Sequence, residues 1–256
     1  MAWRLLGALL ALVLVAGCDD DGGDGGGGGA GGAGGGGPAA DMGVVQGASE
    51  TFTFTELALE QPAALAGLLT TLLNNNLNAG AIIVLVQIDG WGGNGALILR
   101  GGAGQQVAGA DTPADFSDDG FTWLTEGECA NADGTTTPCS VDISERAGTQ
   151  TGEDFSMSGG EIFIYSEDLK IIIPIRGLAL TGTRDGDFID ARLDGVITDA
   201  DAAEVRFKLN PAAEMTTDLK SLLSGARVMP TESLDGQPAY AFSGTFSAEL
   251  VTFVAP

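Results

Sequence analysis

Apolar and polar residues alternate at both ends of the part of the chain able to fold. Over Glu50 to Leu59, Phe52 and Phe54 fall on one face and threonines on the other, which predicts a strand. Over Ala239 to Phe253, Tyr240, Phe242, Phe246 and Leu250 alternate with Ser243, Thr245, Ser247 and Glu249. Each segment has one apolar and one polar face, as an antiparallel sheet allows, and the two are expected to pair and close the fold.

Between them, Leu178 to Ile197 predicts a hairpin turning at Asp185-Gly186, with Ile189, Ala191, Leu193 and Ile197 on one side and Asp190, Arg192 and Asp194 on the other. Glu161 to Tyr165 and Leu169 to Arg176 predict a second hairpin across Ser166 to Asp168. Pro174 removes a backbone donor, so its strand must be an edge or a broken one. Ala81 to Ile88 reads as an apolar strand running into glycines.

Period-3.6 patterning appears twice. Pro62 stands at an expected first helical position, followed by Leu65, Leu68, Leu69, Leu72, Leu73 and Leu77, with Gly80 ending the run. Asn210-Pro211 opens the second pattern, which carries Met215, Leu219, Leu222 and Leu223 and stops at Gly225. Stripes of this width usually cover a sheet. The expected fold class is β-rich α+β: an antiparallel sandwich or barrel with two amphipathic helices packed on it, forming one domain over residues 48–256. Both helices begin with Pro-Ala-Ala and both lead to an Asp-Gly, about 150 residues apart, a spacing an old duplication would leave.

The first 47 residues have another character. Arg4 supplies a short basic start and Leu5 to Gly17 is continuously apolar, about 13 residues where a membrane span needs about 20, so residues 1–17 read as a signal peptide. Val15-Ala16-Gly17-Cys18 resembles the lipobox of bacterial lipoproteins. That resemblance implies diacylglyceryl transfer to the Cys18 sulfur, cleavage before Cys18, acyl chains such as palmitate in the membrane, and a lipid-anchored place in a bacterial cell envelope. The membrane leaflet stays open, although Asp19 and Asp20 resemble an inner-membrane retention signal of enteric bacteria. The remainder of residues 18–47 is a glycine, alanine and aspartate tract with too little apolar surface to offset its ordering entropy. As a flexible coil it spans roughly 30 Å and reaches about 100 Å drawn out.

Composition narrows the chemistry. The formal charge is −24, from 11 basic against 35 acidic residues, and loss of Arg4 with a signal makes it one unit more negative. Such a chain repels phosphate backbones, so nucleic acid is excluded as a partner. Histidine is absent, which removes Ser-His-Asp, Cys-His and HExxH chemistries.

Three motifs remain to be weighed. Gly90-Trp91-Gly92-Gly93-Asn94-Gly95 matches GxGxxG, but Ala96 to Leu99 gives too little chain for the helix a dinucleotide site needs, so it reads as a strand connection and no cofactor is expected. Cys129 and Cys139 flank a turn-rich loop in an exported chain, which favours a structural disulfide. Asp185, Asp187, Asp190, Asp199 and Asp201 are weak calcium candidates at loops or on a wet strand face, with a solvated acidic surface as the default and no firm metal site. No catalytic constellation stands out. The primary expectation is a non-catalytic binding or scaffolding module for a protein, glycan or lipid ligand. The alternatives are a carrier of an apolar ligand in an internal cavity and, behind it, a carboxylate-based hydrolase.

Overall fold

The computed structural model describes residues 45–107, 120–131, 133–166, 170–207 and 216–256. Residues 1–44, which hold the expected signal peptide, Cys18 and most of the glycine tract, lie outside the described residues, as do Asn210, Pro211 and Met215.

The elements in chain order are β1 (Ala48–Gln61), α1 (Ala66–Asn78), β2 (Val84–Trp91), β3 (Ala96–Gln106), β4 (Gly120–Trp123), β5 (Glu126–Ala130), β6 (Thr136–Ser140) and β7 (Ser144–Thr151). There follow β8 (Asp154–Ser158), β9 (Glu161–Ser166), β10 (Ile171–Asp185), β11 (Phe188–Thr198), α2 (Asp199–Glu204), β12 (Arg206–Phe207) and β13 (Thr217–Asp218). The last are α3 (Leu219–Gly225), β14 (Glu232–Leu234) and β15 (Gln237–Phe253).

Eight strands form a closed antiparallel ring in the order β1, β2, β3, β7, β8, β10, β11, β15, with β15 pairing back to β1. Each strand sits beside its predecessor in the ring, so the barrel is an up-and-down meander with long insertions. Of the two architectures the alternation allowed, the barrel is the one formed, and its closing seam is the pairing of the two terminal strands. Phe52 lies opposite Leu250 and Phe54 opposite Ala248, and the rings of Phe54 and Phe246 stack across the seam at 4.0 Å.

Register explains the interior. Residues opposite one another share a face, so Leu59, Gly244 and Leu193 form one inward row, and Leu57, Phe246 and Ala191 the next. Phe52, Val86, Ile88, Leu97, Leu99, Phe155, Met157, Leu180 and Ile189 fill the remainder, all buried in one apolar cluster. The faces turned outward on β7, β8, β10, β11 and β15 carry threonine, serine, aspartate and arginine. That is the reverse of the pattern a membrane-spanning barrel needs. Among the described residues no helix is long and apolar enough to cross a membrane.

The two ends of the ring differ. One holds the short turns at 92–95, 152–153 and 186–187 together with the start of β1. The other receives every long connection: α1 between β1 and β2, the β4–β6 insertion, β9, and the α2 to β14 segment. α1 sends Leu73 and Leu77 into the main core, and α2 and α3 add Ala202, Leu219 and Leu223. Two smaller cores lie outside the ring. Phe121 and Trp123 of β4 cover Ile83 and Leu85, while Phe163 and Tyr165 of β9 cover Ala103 and Val141.

Several expectations need correction. Pro62 does not open a helix: β1 stays paired to Ser243 as far as Gln61, so Pro62 must take part in the reversal, and α1 begins at Ala66. The leucine stripe is partly wet, with Leu68 42% exposed. The second helix starts at Leu219, where the Asp218 side chain accepts from the Ser221 amide at 2.7 Å. α2 was not anticipated; its signal is Thr198 followed three residues later by Asp201, whose amide donates to the Thr198 hydroxyl at 3.0 Å. The β10–β11 turn centres on Gly186-Asp187, one residue beyond the expected pair. Asp235-Gly236 makes a turn between β14 and β15, whereas Asp89-Gly90 lies within β2, so the two Asp-Gly pairs play different parts. Pro174 behaves as expected. It pairs with Phe163 of β9, and β11 joins β10 from Arg176 onward, past the proline.

Candidate functional site

The glycine motif forms the β2–β3 hairpin, with Ile88 opposite Leu99 and Asp89 opposite Ile98. Its glycines serve close approach. A Cβ on Gly93 would lie 1.4 Å from the Gln46 carbonyl oxygen, and one on Gly90 would lie 2.3 Å from the Val45 side chain. The motif is therefore a seat for residues 45–47, where the chain enters the barrel.

Beside that seat the barrel mouth holds one charged pair. Glu50 shares the inward face with Ile88 and lies 2.6 Å from the guanidinium of Arg184, which stands 5.3 Å from the Trp91 ring centre. Trp91 in turn meets Phe155 edge-on at 5.9 Å. This pair plugs the mouth with compensated charge. Farther in, the space lined by Val86, Leu99, Met157, Ile162, Leu178 and Leu180 measures about 10 Å³, room for about one water and none for an acyl chain.

The five calcium candidates do not converge. Asp185 and Asp187 flank Gly186 at the mouth, and Asp190 accepts from the Ser247 hydroxyl at 2.5 Å on the outer wall. Asp199 and Asp201 belong to α2, where cations already meet them. Lys220 Nζ lies 2.7 Å from Asp199, which also accepts from the Tyr240 hydroxyl at 3.1 Å. Arg176 spans both oxygens of Asp201 at 2.7 and 3.0 Å. The Lys220 bond leads in holding the Asp199 carboxyl below its ordinary value, and Tyr240 adds to it. At Asp201 burial pushes upward, but the bonds from Arg176 and Thr198 outweigh it and the net direction is down. These are joints that bind α2 and α3 to the ring. Among the described residues no three acidic or cysteine side chains are placed to share a metal ion.

Cys129 and Cys139 form a disulfide across the β5–β6 hairpin, with Cα atoms 5.7 Å apart. The hairpin lies against β9 through Gly127, which sits under the Tyr165 ring, and against the residue preceding β10 through the Lys170–Glu128 pair at 3.0 Å.

A broad concavity lies on the outer wall, a groove of about 760 Å³ over six neighbouring strands. Two polar rows cross it. Following the pairing from β7 through β8, β10, β11 and β15 to β1, the first row reads Thr149, Ser156, Thr181, Arg192, Thr245, Ala58. The second, two residues along each strand, reads Thr151, Asp154, Thr183, Asp190, Ser247, Glu56. With strands about 4.8 Å apart the rows extend about 24 Å, separated by about 7 Å. Hydroxyls and carboxylates bind each other along the wall: Thr183 donates to Asp154 at 2.7 Å, and Thr149 and Ser156 lie 3.1 Å apart. Arg192 is held by both oxygens of Asp194 and by Glu60 at 2.8 Å.

Of the sequence candidates, Asp190 alone contributes to this groove. The rest of the wall was missed, although Thr149-x-Thr151, Thr181-x-Thr183 and Thr245-x-Ser247 each showed a repeated polar pair at strand spacing. The chain matches no protein-family model, and no curated protein or solved structure is similar enough to it to count as a match.

Proposed function

We propose that the protein is a lipid-anchored component of a bacterial cell envelope that binds its ligand without transforming it, and that the six-strand outer groove is the binding face. The anchor is argued from Val15 to Cys18 and from the glycine tract, whose reach lets a tethered domain search for a partner. The binding face is argued from one observation: the barrel interior is filled with side chains, while the groove of about 760 Å³ outside is open and lined by hydroxyls and carboxylates in register. The filled interior favours this reading over internal carriage of an apolar ligand.

The test has two arms in the producing bacterium. Metabolic labelling with an alkynyl palmitate analogue should mark the wild-type protein and leave Cys18→Ser unmarked and released from the membrane fraction; an unmarked wild type overturns the anchor. A folded variant with Thr181→Lys and Thr245→Lys should fail to complement a deletion strain that the wild type rescues. Full complementation overturns the binding face.

A further inference from the structure

We propose that the ligand of the outer groove is an extended glycan chain carrying amino or acylamino groups. This deepens the preceding reading and rests on the groove being the binding face; it does not depend on the anchor.

Three observations select this class. First, the groove is open and its lining crosses six strands, about 24 Å measured along the sheet, which fits a linear polymer of several pyranose rings better than a compact metabolite. Secondly, the wall offers hydroxyl groups, each both donor and acceptor, on four of the six strands: Thr149, Thr151, Ser156, Thr181, Thr183 and Thr245 among them. A polyhydroxyl ligand uses both capacities at once, and its rings need no deep pocket. The Thr181 and Thr245 side chains stand in the exposed row on either side of Arg192.

Thirdly, the charge is one-sided. Glu56, Asp154 and Asp190 line the groove, and Glu60 and Asp194 stand around its single cation, Arg192, which those two carboxylates already engage. Anionic polymers are therefore repelled, in keeping with the formal charge of −24. Ionised carboxylates accept only, and they make their strongest hydrogen bonds to charged or polarised N–H donors. Asp154 and Asp190 each accept from one wall hydroxyl and retain lone pairs toward the groove. An ammonium or amide nitrogen on a sugar ring supplies that donor while its hydroxyls meet the threonines.

The experiment is calorimetric titration of the full chain, held in a detergent without a sugar headgroup, with four probes. These are the β-1,4-glucosamine hexamer, its N-acetylated counterpart, a galacturonate hexamer and hexalysine. The expected order is glucosamine hexamer tightest and weakened by salt, the N-acetyl hexamer next, and no binding of galacturonate. Removing hydroxyls with Thr181→Val and Thr245→Val should weaken both amino-sugar probes by about tenfold, whereas Asp190→Asn should weaken the glucosamine hexamer by about tenfold and the N-acetyl hexamer less. Unchanged thermal midpoints of these surface variants establish that they fold.

Equal binding of galacturonate overturns the proposal. So does hexalysine binding as tightly as glucosamine and indifferent to the valine substitutions, a result that identifies a basic polypeptide ligand and leaves the groove as the binding face. If none of the four probes binds, the amino-glycan assignment fails, and the complementation result for the lysine variant then decides whether the groove reading fails with it.

Discussion

Asn74 gives the backbone of Leu57 both hydrogen bonds that a neighbouring strand would give. Its Nδ2 donates to the Leu57 carbonyl at 2.9 Å, and its Oδ1 accepts from the Leu57 amide at 2.9 Å. The need arises because β2 accompanies β1 only from Ala48 to Thr53, leaving the later part of β1 without a strand on that side. Two residues on, Thr70 accepts from the Leu59 amide at 2.9 Å, so α1 continues the ring with side chains in place of a ladder.

Asn74→Ala should therefore destabilise the fold by about 2 kcal/mol, since it strands a partly buried donor and acceptor together. Asn74→Asp should be no better, because its carboxylate cannot donate to the Leu57 carbonyl. Urea titrations of the three proteins check this. A midpoint for Asn74→Ala equal to that of the wild type would mean that water replaces both bonds.

The seat for residues 45–47 gives a pair of contrasting glycine substitutions. At Gly93 the obstacle is space, with the Gln46 carbonyl 1.4 Å from an added methyl carbon, so Gly93→Ala must displace the entry segment. At Gly92 nothing lies within 4 Å, but φ is +69°, so Gly92→Ala carries backbone strain of about 1 kcal/mol alone. Amide exchange at residues 46–48 should quicken markedly in Gly93→Ala and stay near wild type in Gly92→Ala. Equal protection in both variants would remove the seat.

These examples also mark what the sequence could convey. Terminal strands, the hairpin across Gly186 and the disulfide were legible because each rests on local alternation or a nearby partner. Asn74 was not, since nothing in its own neighbourhood states that β1 will outrun β2. The wall was half legible: Thr149-x-Thr151 and Thr181-x-Thr183 predict polar strand faces, but their alignment across six strands is fixed by register, a property of the whole ring. Pro62 misled because a proline ahead of a leucine stripe fits both a helix start and the turn before one.

Acid should loosen the helical end first. Asp199, Asp201 and Asp218 all have carboxyls lowered from their ordinary value of 3.8. A depressed folded-state value means that the stabilisation is complete above the unfolded value and is lost as pH falls through the folded one. The three should contribute fully at neutral pH and progressively less below about pH 4. Asp201→Asn should lower stability at pH 7 and flatten the acid limb of the urea midpoint against pH. Amide exchange over residues 199–204 and 219–225 should quicken before that of β11 and β15 as the solution is acidified. An acid limb as steep in Asp201→Asn as in the wild type would show that the Arg176 pair carries none of it.

The disulfide should act locally. Cys129 and Cys139 close a ring with a sequence separation of 10, for which loop-closure entropy gives about 2.5 to 3 kcal/mol. The β5–β6 hairpin they tie is a two-stranded sheet of its own, joined to the rest of the fold through contacts with β9, β10 and β12 and not through a ladder. Reduction therefore removes its cross-link without breaking a ring strand. The double substitution Cys129→Ser and Cys139→Ser should lose amide protection over 126–130 and 136–140, while β1, β11 and β15 keep theirs. The urea midpoint of the barrel should fall by less than the full loop-closure value. A fall of the whole 2.5 to 3 kcal/mol, with protection lost together in hairpin and ring, would show instead that the insertion and the barrel unfold as one unit.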